Sequence, residues 1–242
     1  MNTNLLNARL RRSSAVIEPL SLNGGRGSAR SMASFLTLDD VQLSGRTVLV
    51  RVDVNSPLDP ITGEFLDDAR LKAVMPTLRR LADAKVVLLA HQSRPGKLDF
   101  TSMKRHADLL GRLLGRDIQF VPDVCGELAL STIQGMQQGE MIFLDNVRGH
   151  ADEIGRRTAT PQELAQSDLV RELSRVADAY VSDAFAAAHR NSPTLSGFGA
   201  ALPCIAGVLM QRELEALGSV IDDPLRPQTI ILGGVKVDDS LD

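Results

Sequence analysis

Asp53 and Asn55 stand two residues apart just beyond Thr47 to Val52, a short, largely β-branched apolar run of the kind that makes a strand buried on both faces of a parallel sheet. Pro57 stops that strand from continuing. A carboxylate and an amide are thus presented at a strand's carboxyl end, where open α/β sheets bind their ligands. The pattern recurs along the chain. Lys85 to Ala90 is followed by His91 and then Ser93-Arg94-Pro95-Gly96-Lys97, Met141 to Leu144 by Asp145-Asn146-Val147-Arg148, and Ala179 to Ser182 by Asp183 and His189-Arg190. Arg70, Arg94, Arg148 and Arg190, converging with one or two histidines on one edge of the sheet, would form an anion site, because guanidinium forks pair bidentately with phosphate and carboxylate. Asp53 and Asn55 would suit a hydroxyl of the same ligand. The expected ligand is small, polyanionic and hydroxylated.

Taken singly, each residue has a plainer explanation. An arginine after a strand is usually a surface charge or the partner of a nearby Asp, and a lone histidine is more often a hydrogen-bonded core residue than a ligand. Recurrence after successive strands is what singles the set out. Other chemistries lack their patterns: the chain has no G-x-S-x-G, no H-E-x-x-H, no G-x-x-x-x-G-K-[ST], and no G-x-G-x-x-G after a strand.

The elements that must position these residues alternate from Met32 onward. Asp68 to Ala84 carries Leu71, Met75, Leu78 and Leu81 at helical spacing, and Ser102 to Leu114 carries Met103, Leu109, Leu110 and Leu113. Pro161 to Val176 reads as a helix with Thr160 as N-cap and Pro161 in its first position. Ile118 to Val121 is expected as a short strand, Ile205 to Ile221 as a long helix, and Thr229 to Leu232 as a last strand entering Gly233-Gly234. The βαβαβ order predicts an α/β fold with a doubly wound parallel sheet.

With 242 residues, 43% hydrophobic and 24% charged, the chain reads as globular, one domain being favoured over two. Aromatic residues make up 3%, with no Trp, and the formal net charge is -3. Both speak against a nucleic-acid partner, which asks for stacking platforms and a basic footprint. Cys125 and Cys204 belong to no metal or redox pattern and are expected as reduced, buried thiols. No apolar run approaches a membrane span, and the expected location is the cytosol. Residues 1–31 stand apart: Arg9, Arg11, Arg12, Arg26 and Arg30 face the single acid Glu18, so this stretch carries +4 and the remainder -7. A transit peptide is one reading. A disordered extension, or a start codon assigned too early with Met32 opening the folded protein, is the favoured one, since Gly24, Gly25 and Gly27 break the helix a transit peptide needs.

The motifs in order resemble the N-terminal half of phosphoglycerate kinase. The matching segments are RVDVNSPLD at 51–59, DARLKAVMPTL at 68–78, AHQSRPGK at 90–97, LDNVR at 144–148, DAFAAAHR at 183–190 and GGVKVDDS at 233–240, a resemblance running from about Leu36 to the end. Where the common bacterial form has H-L-G-R-P, this chain has His91-Gln92-Ser93-Arg94-Pro95, and alanines fill DAFAAAHR, variants that look like the archaeal branch. The resemblance implies reversible phosphoryl transfer between 1,3-bisphosphoglycerate and ADP, giving 3-phosphoglycerate and ATP, in glycolysis and gluconeogenesis. By position in the motifs, Asp53 and Asn55 would meet the hydroxyl and carboxylate end of the glycerate. His91, Arg94, Arg148 and Arg190 would surround its phosphate. Arg70 would aim at the transferring group, a role suited to a reaction run by positioning and electrostatics.

Lys236, following Gly233 and Gly234, would by the same resemblance lie near the nucleotide phosphates and the group in flight. A second lysine often found four residues later in the family is Ser240 here. The resemblance also implies a division of the chain into a glycerate-binding α/β domain at 32–204, an interdomain helix at 205–221, and the opening of a nucleotide-binding domain at 222–242. That second domain would carry most of the contacts to ATP or ADP and Mg2+, and the helix residues Leu209, Leu214, Leu217 and Ile221 should be partly exposed. Two functional readings stand at this point: a phosphoglycerate kinase chain active together with a nucleotide domain, and a module that binds 3-phosphoglycerate or a similar anion without catalysis.

Overall fold

The computed structural model describes residues 35–154, 158–222 and 224–229. Its strands are β1 (Leu36–Thr37), β2 (Thr47–Val52), β3 (Lys85–Leu89), β4 (Gln119–Val121), β5 (Met141–Leu144), β6 (Ala179–Asp183) and β7 (Cys204–Ala206). The helices are α1 (Ala69–Arg80), α2 (Lys104–Leu114), α3 (Glu127–Gly135), α4 (Pro161–Ala165), α5 (Asp168–Ser174) and α6 (Val208–Asp222). All strand pairs are parallel, in the order β1-β7-β6-β2-β3-β5-β4. This is the doubly wound α/β sheet that the alternation predicts.

β2 lies at the centre, buried along its whole length. The pleat sends successive side chains to opposite faces. Val48, Val50 and Val52 pack with Leu71, Val74 and Leu78 of α1 and Leu110 of α2, whereas Leu49 packs with Ile133 of α3 and with Leu169, Val170 and Leu173 of α5. Each such side chain contributes about 1.5–3 kcal/mol on burial. Arg51 shares the phase of Leu49 and is itself only 1% exposed.

Several boundaries differ from expectation. The helix expected over 161–176 is two: Thr160 and Glu163 form a capping box for α4, as the Thr160-Pro161 pair suggested, but Ser167 Oγ then accepts from Val170 N and starts α5 afresh. The α3 helix carries too few regularly spaced apolar residues to announce itself. It is seeded by Asp123, whose carboxylate accepts from the backbone of Val124, Gly126 and Ala129. Ile205 and Ala206 belong to β7, paired with Val181 and Ser182, so the helix expected from Ile205 begins at Val208. Its first turn is capped from outside, Val208 N donating to Thr77 Oγ1 and Met210 N to Asp183 Oδ1. Gly207 passes so close to Asp183 that a Cβ there would stand 2.3 Å from its Oδ1.

Cys125 is half-buried and Cys204 exposed, both as free thiols, so neither is the buried core cysteine expected. On α6, Leu209 and Leu214 are half-buried and Leu217 and Ile221 exposed, as anticipated. No helix among the described residues is long and apolar enough to cross a membrane. The leader at 1–31, the strand expected over 229–232 apart from Thr229 itself, Lys236 and Ser240 lie outside the described residues.

Candidate functional site

From β2 the chain proceeds to β3 on one side and returns much later to β6 on the other. Such a reversal of strand order opens a crevice at the carboxyl ends of the strands. Here the crevice is a cleft of about 1040 Å³. Of the residues singled out from sequence, Asn55, His91, Arg94, Arg148 and Arg190 line it, together with Lys97 and His189. Asp53 and Arg70 do not. They form an ion pair with each other, Asp53 at 7% exposure and Arg70 at 46%, and Asp53 Oδ1 also accepts from Asn55 N at 3.1 Å. Lys236 lies outside the described residues.

The two loops that bear Asn55 and Arg94 are locked to one another. Asn55 Oδ1 accepts from Ser93 N at 2.7 Å, while the buried Gln92 accepts from Ser56 N at 3.2 Å and donates to Ser56 O at 3.0 Å. Asn146 Nδ2 donates to Gln92 O at 2.8 Å and Arg148 Nη1 to Ser93 O at 2.6 Å, which ties the loop after β5 into the same frame. Ser93 adopts φ 57°, a left-handed conformation that costs a non-glycine residue on the order of 1 kcal/mol or more. Its backbone N–H, its carbonyl and its hydroxyl, the last bonded to Asp99 at 2.6 Å, all have partners that hold it there.

The floor of the cleft, where Arg51, Glu153 and Ser192 join the lining, holds a layer that sequence reasoning missed. Arg51 Nε donates to Thr194 Oγ1 at 3.1 Å, and its Nη2 lies 2.8 Å from His91 Nδ1. Glu153, 8% exposed, accepts from Ser192 Oγ, Thr194 N and Thr194 Oγ1. A charged residue inside a strand buried on both faces was the available signal, since such a charge must be paired. Nothing in the sequence marked Glu153 or Thr194, and Gln92 stood out only as a variant within the segment at 90–97.

Electrostatics corrects one expectation. His91 is 1% exposed, and burial first, then the charges of Arg51, Arg148, Arg190 and Arg70, push its pKa down to about 2. It is therefore neutral and adds no charge to the cluster. Arg148 is held below its ordinary value by burial and by Arg190 and Arg51. Cations crowded this closely repel one another, and a bound polyanion relieves that repulsion.

The family model described as phosphoglycerate kinase matches residues 38–242. The chain belongs to the phosphoglycerate kinase family. The phosphoglycerate kinases of Methanothermobacter thermautotrophicus and Methanothermus fervidus are 47% and 49% identical to it over 209 and 212 residues, covering 86% and 87% of this chain and 50% and 51% of their own. The crystal structure of phosphoglycerate kinase from Pyrococcus horikoshii superposes with a TM-score of 0.80 at 40% identity, over 85% of this chain and 50% of that one. The chain thus spans about half the length of the curated relatives it matches. Relatives of archaeal origin agree with the branch suggested by His91-Gln92-Ser93-Arg94-Pro95.

Proposed function

We propose that the cleft binds 3-phosphoglycerate and that the chain supplies the glycerate half of a phosphoglycerate kinase, transferring a phosphoryl group between 1,3-bisphosphoglycerate and ADP. The observation that carries this reading is the convergence of Arg94, Arg148 and Arg190 with Lys97 and Asn55 on one cleft at the carboxyl ends of the parallel strands. Arg94, Arg148 and Arg190 hold the phosphate as charge-assisted donors. The neutral His91 donates to the same phosphate beside Arg190, Asn55 orients the glycerate end, and Asp53, through its pair with Arg70, sets the rim where the carboxyl group would lie. Arg70, exposed and aimed by Asp53, is the residue that reaches the transferring group, where a positioned cation stabilises charge on the equatorial oxygens. Lys236 faces the nucleotide phosphates in this reading.

ATP or ADP with Mg2+ completes the reaction. Among the described residues no three His, Cys, Asp or Glu side chains cluster to hold a cation, so no residue of the cleft is assigned to the metal. Calorimetric titration of the chain at low ionic strength, with 3-phosphoglycerate and separately with Mg-ATP, tests the reading. Exothermic one-to-one binding of 3-phosphoglycerate that weakens with added salt is expected. No binding of the glycerate overturns the assignment of the cleft.

A further inference from the structure

Glu153, Thr194, Arg51 and His91 form a single buried line of hydrogen bonds ending at the cleft, and its direction is not free. A carboxylate only accepts and a guanidinium only donates. Thr194 Oγ1, 2.5 Å from Glu153 Oε1 and 3.1 Å from Arg51 Nε, must give its proton to the glutamate and accept from the arginine. Arg51 Nη2, 2.8 Å from His91 Nδ1, must in turn donate to that nitrogen. A neutral imidazole has one acceptor nitrogen and one N–H. With Nδ1 accepting, the proton sits on Nε2. There it faces the cleft, 3.3 Å from Arg190 Nη1. Both are donors, so they cannot bond to each other, and their spacing lets one acceptor take both.

We infer that Arg51, held by Thr194 and balanced by Glu153, is a positioning residue that locks His91 as a neutral Nε2–H donor, paired with Arg190 to grip a single anionic oxygen. Three of the five N–H donors of Arg51 are engaged inside the protein, Nη1 with Val52 O at 2.5 Å, Nε with Thr194 and Nη2 with His91, which fixes its plane at the floor of the cleft. The inference adds a device to the glycerate reading and rests on it only for the identity of the ligand. The charges that bear on His91 are Arg51, Arg148, Arg190 and Arg70, all of one sign, so no carboxylate competes to protonate the ring. Burial holds Arg51 below its ordinary value; Glu153, then Tyr180 and Asp53, act against that, and Arg190 adds to it.

The test is long-range 15N–1H correlation spectroscopy of the full 242-residue chain with labelled histidine, the His91 ring being assigned from the signals that vanish in His91→Gln. Expected is an acceptor Nδ1 and a protonated Nε2, unchanged from pH 8 to pH 5. A ring protonated on Nδ1, or one that charges within that range, overturns the inference. Thr194→Val should scramble the tautomer and weaken inorganic phosphate binding at pH 8 about five- to tenfold, the worth of roughly one hydrogen bond, whereas Thr194→Ser should keep both. Equal ring signals in Thr194→Val and the parent overturn the part given to Thr194 and Glu153. The ring spectrum needs no ligand, so an Nε2–H ring in a chain that ignores 3-phosphoglycerate would remove the glycerate reading and leave the lock standing.

Discussion

Acidification should destabilise this chain through two buried histidines, with an aspartate working against them. His91 is pushed down to about 2 and His106 to about 4, burial being the first cause for both. Their native states stay neutral while the unfolded chain takes up protons below its ordinary value of 6.5. Stability is then lost as pH falls. Each group costs about 1.4 kcal/mol per pH unit, so the pair costs roughly 5 kcal/mol by pH 4.5. Asp183 has the opposite sign. Burial raises its carboxyl from 3.8 to about 6, so the folded chain binds that proton first and regains about 2 kcal/mol between pH 7.5 and pH 4.5. The net expected loss is about 3 kcal/mol, against a total stability of about 5–15 kcal/mol for a domain. Asp59 and Glu163, held below the usual carboxylate range by backbone N–H donors, add their losses only at lower pH. Urea unfolding between pH 7.5 and 4.5 measures the slope. In Asp183→Asn, which keeps an oxygen for Met210 N, the loss should deepen to about 5 kcal/mol. Parallel slopes in the two proteins, or a flat profile in the parent, would refute the assignment of these protons.

Substitutions separate the other parts. Arg94→Ala and Arg190→Ala should each weaken 3-phosphoglycerate binding about tenfold or more, as loss of a charge-assisted hydrogen bond requires, while Arg70→Ala, outside the cleft wall, should weaken it far less; calorimetry that ranks Arg70 first would reverse their roles. Gln92→Leu strands two buried backbone groups of Ser56 and should cost about 2–5 kcal/mol in urea unfolding, with a matching drop in glycerate affinity; an equally stable variant would mean the two loops are held by other means. Gly207→Ala drives a Cβ into Asp183 and should lower the melting temperature by the equivalent of about 1–3 kcal/mol of overpacking. An unchanged melting curve would show that the start of α6 yields.

The sheet was legible because its signals are redundant: β2, β3, β5 and β6 are each a short, mainly apolar run closed by polar residues, with Arg51 the one charge inside β2, and burial on both faces favours that composition. β7 was not. Cys204 to Ala206 is three residues long, too short for any periodicity, and its identity comes from partners far off in sequence. The cleft residues were found by their place after strands, a positional rule that needs no knowledge of contacts. That rule names the residues but not which of them pair, so it put Asp53 and Arg70 into the same wall as Arg94. It is also blind to residues whose role is to hold others. Glu153 follows β5 and Thr194 follows β6, each further along its loop than Arg148 and Arg190, and only the folded chain brings them next to Arg51.

The central position of β2 has a consequence in time. Its partners are β3, close behind it, and β6, with Thr47 and Asp178 joined by a hydrogen bond across 131 residues of chain. On a ribosome moving at about 5–20 residues per second, that gap takes roughly 7–26 seconds to close. Throughout that wait β2 has one open edge, and the loops that carry Arg190 and Thr194 have not yet been made. Partial sheets with an unpaired edge invite association with other chains. The crevice therefore takes shape long after its first residues, Arg51 and Asn55, have been translated.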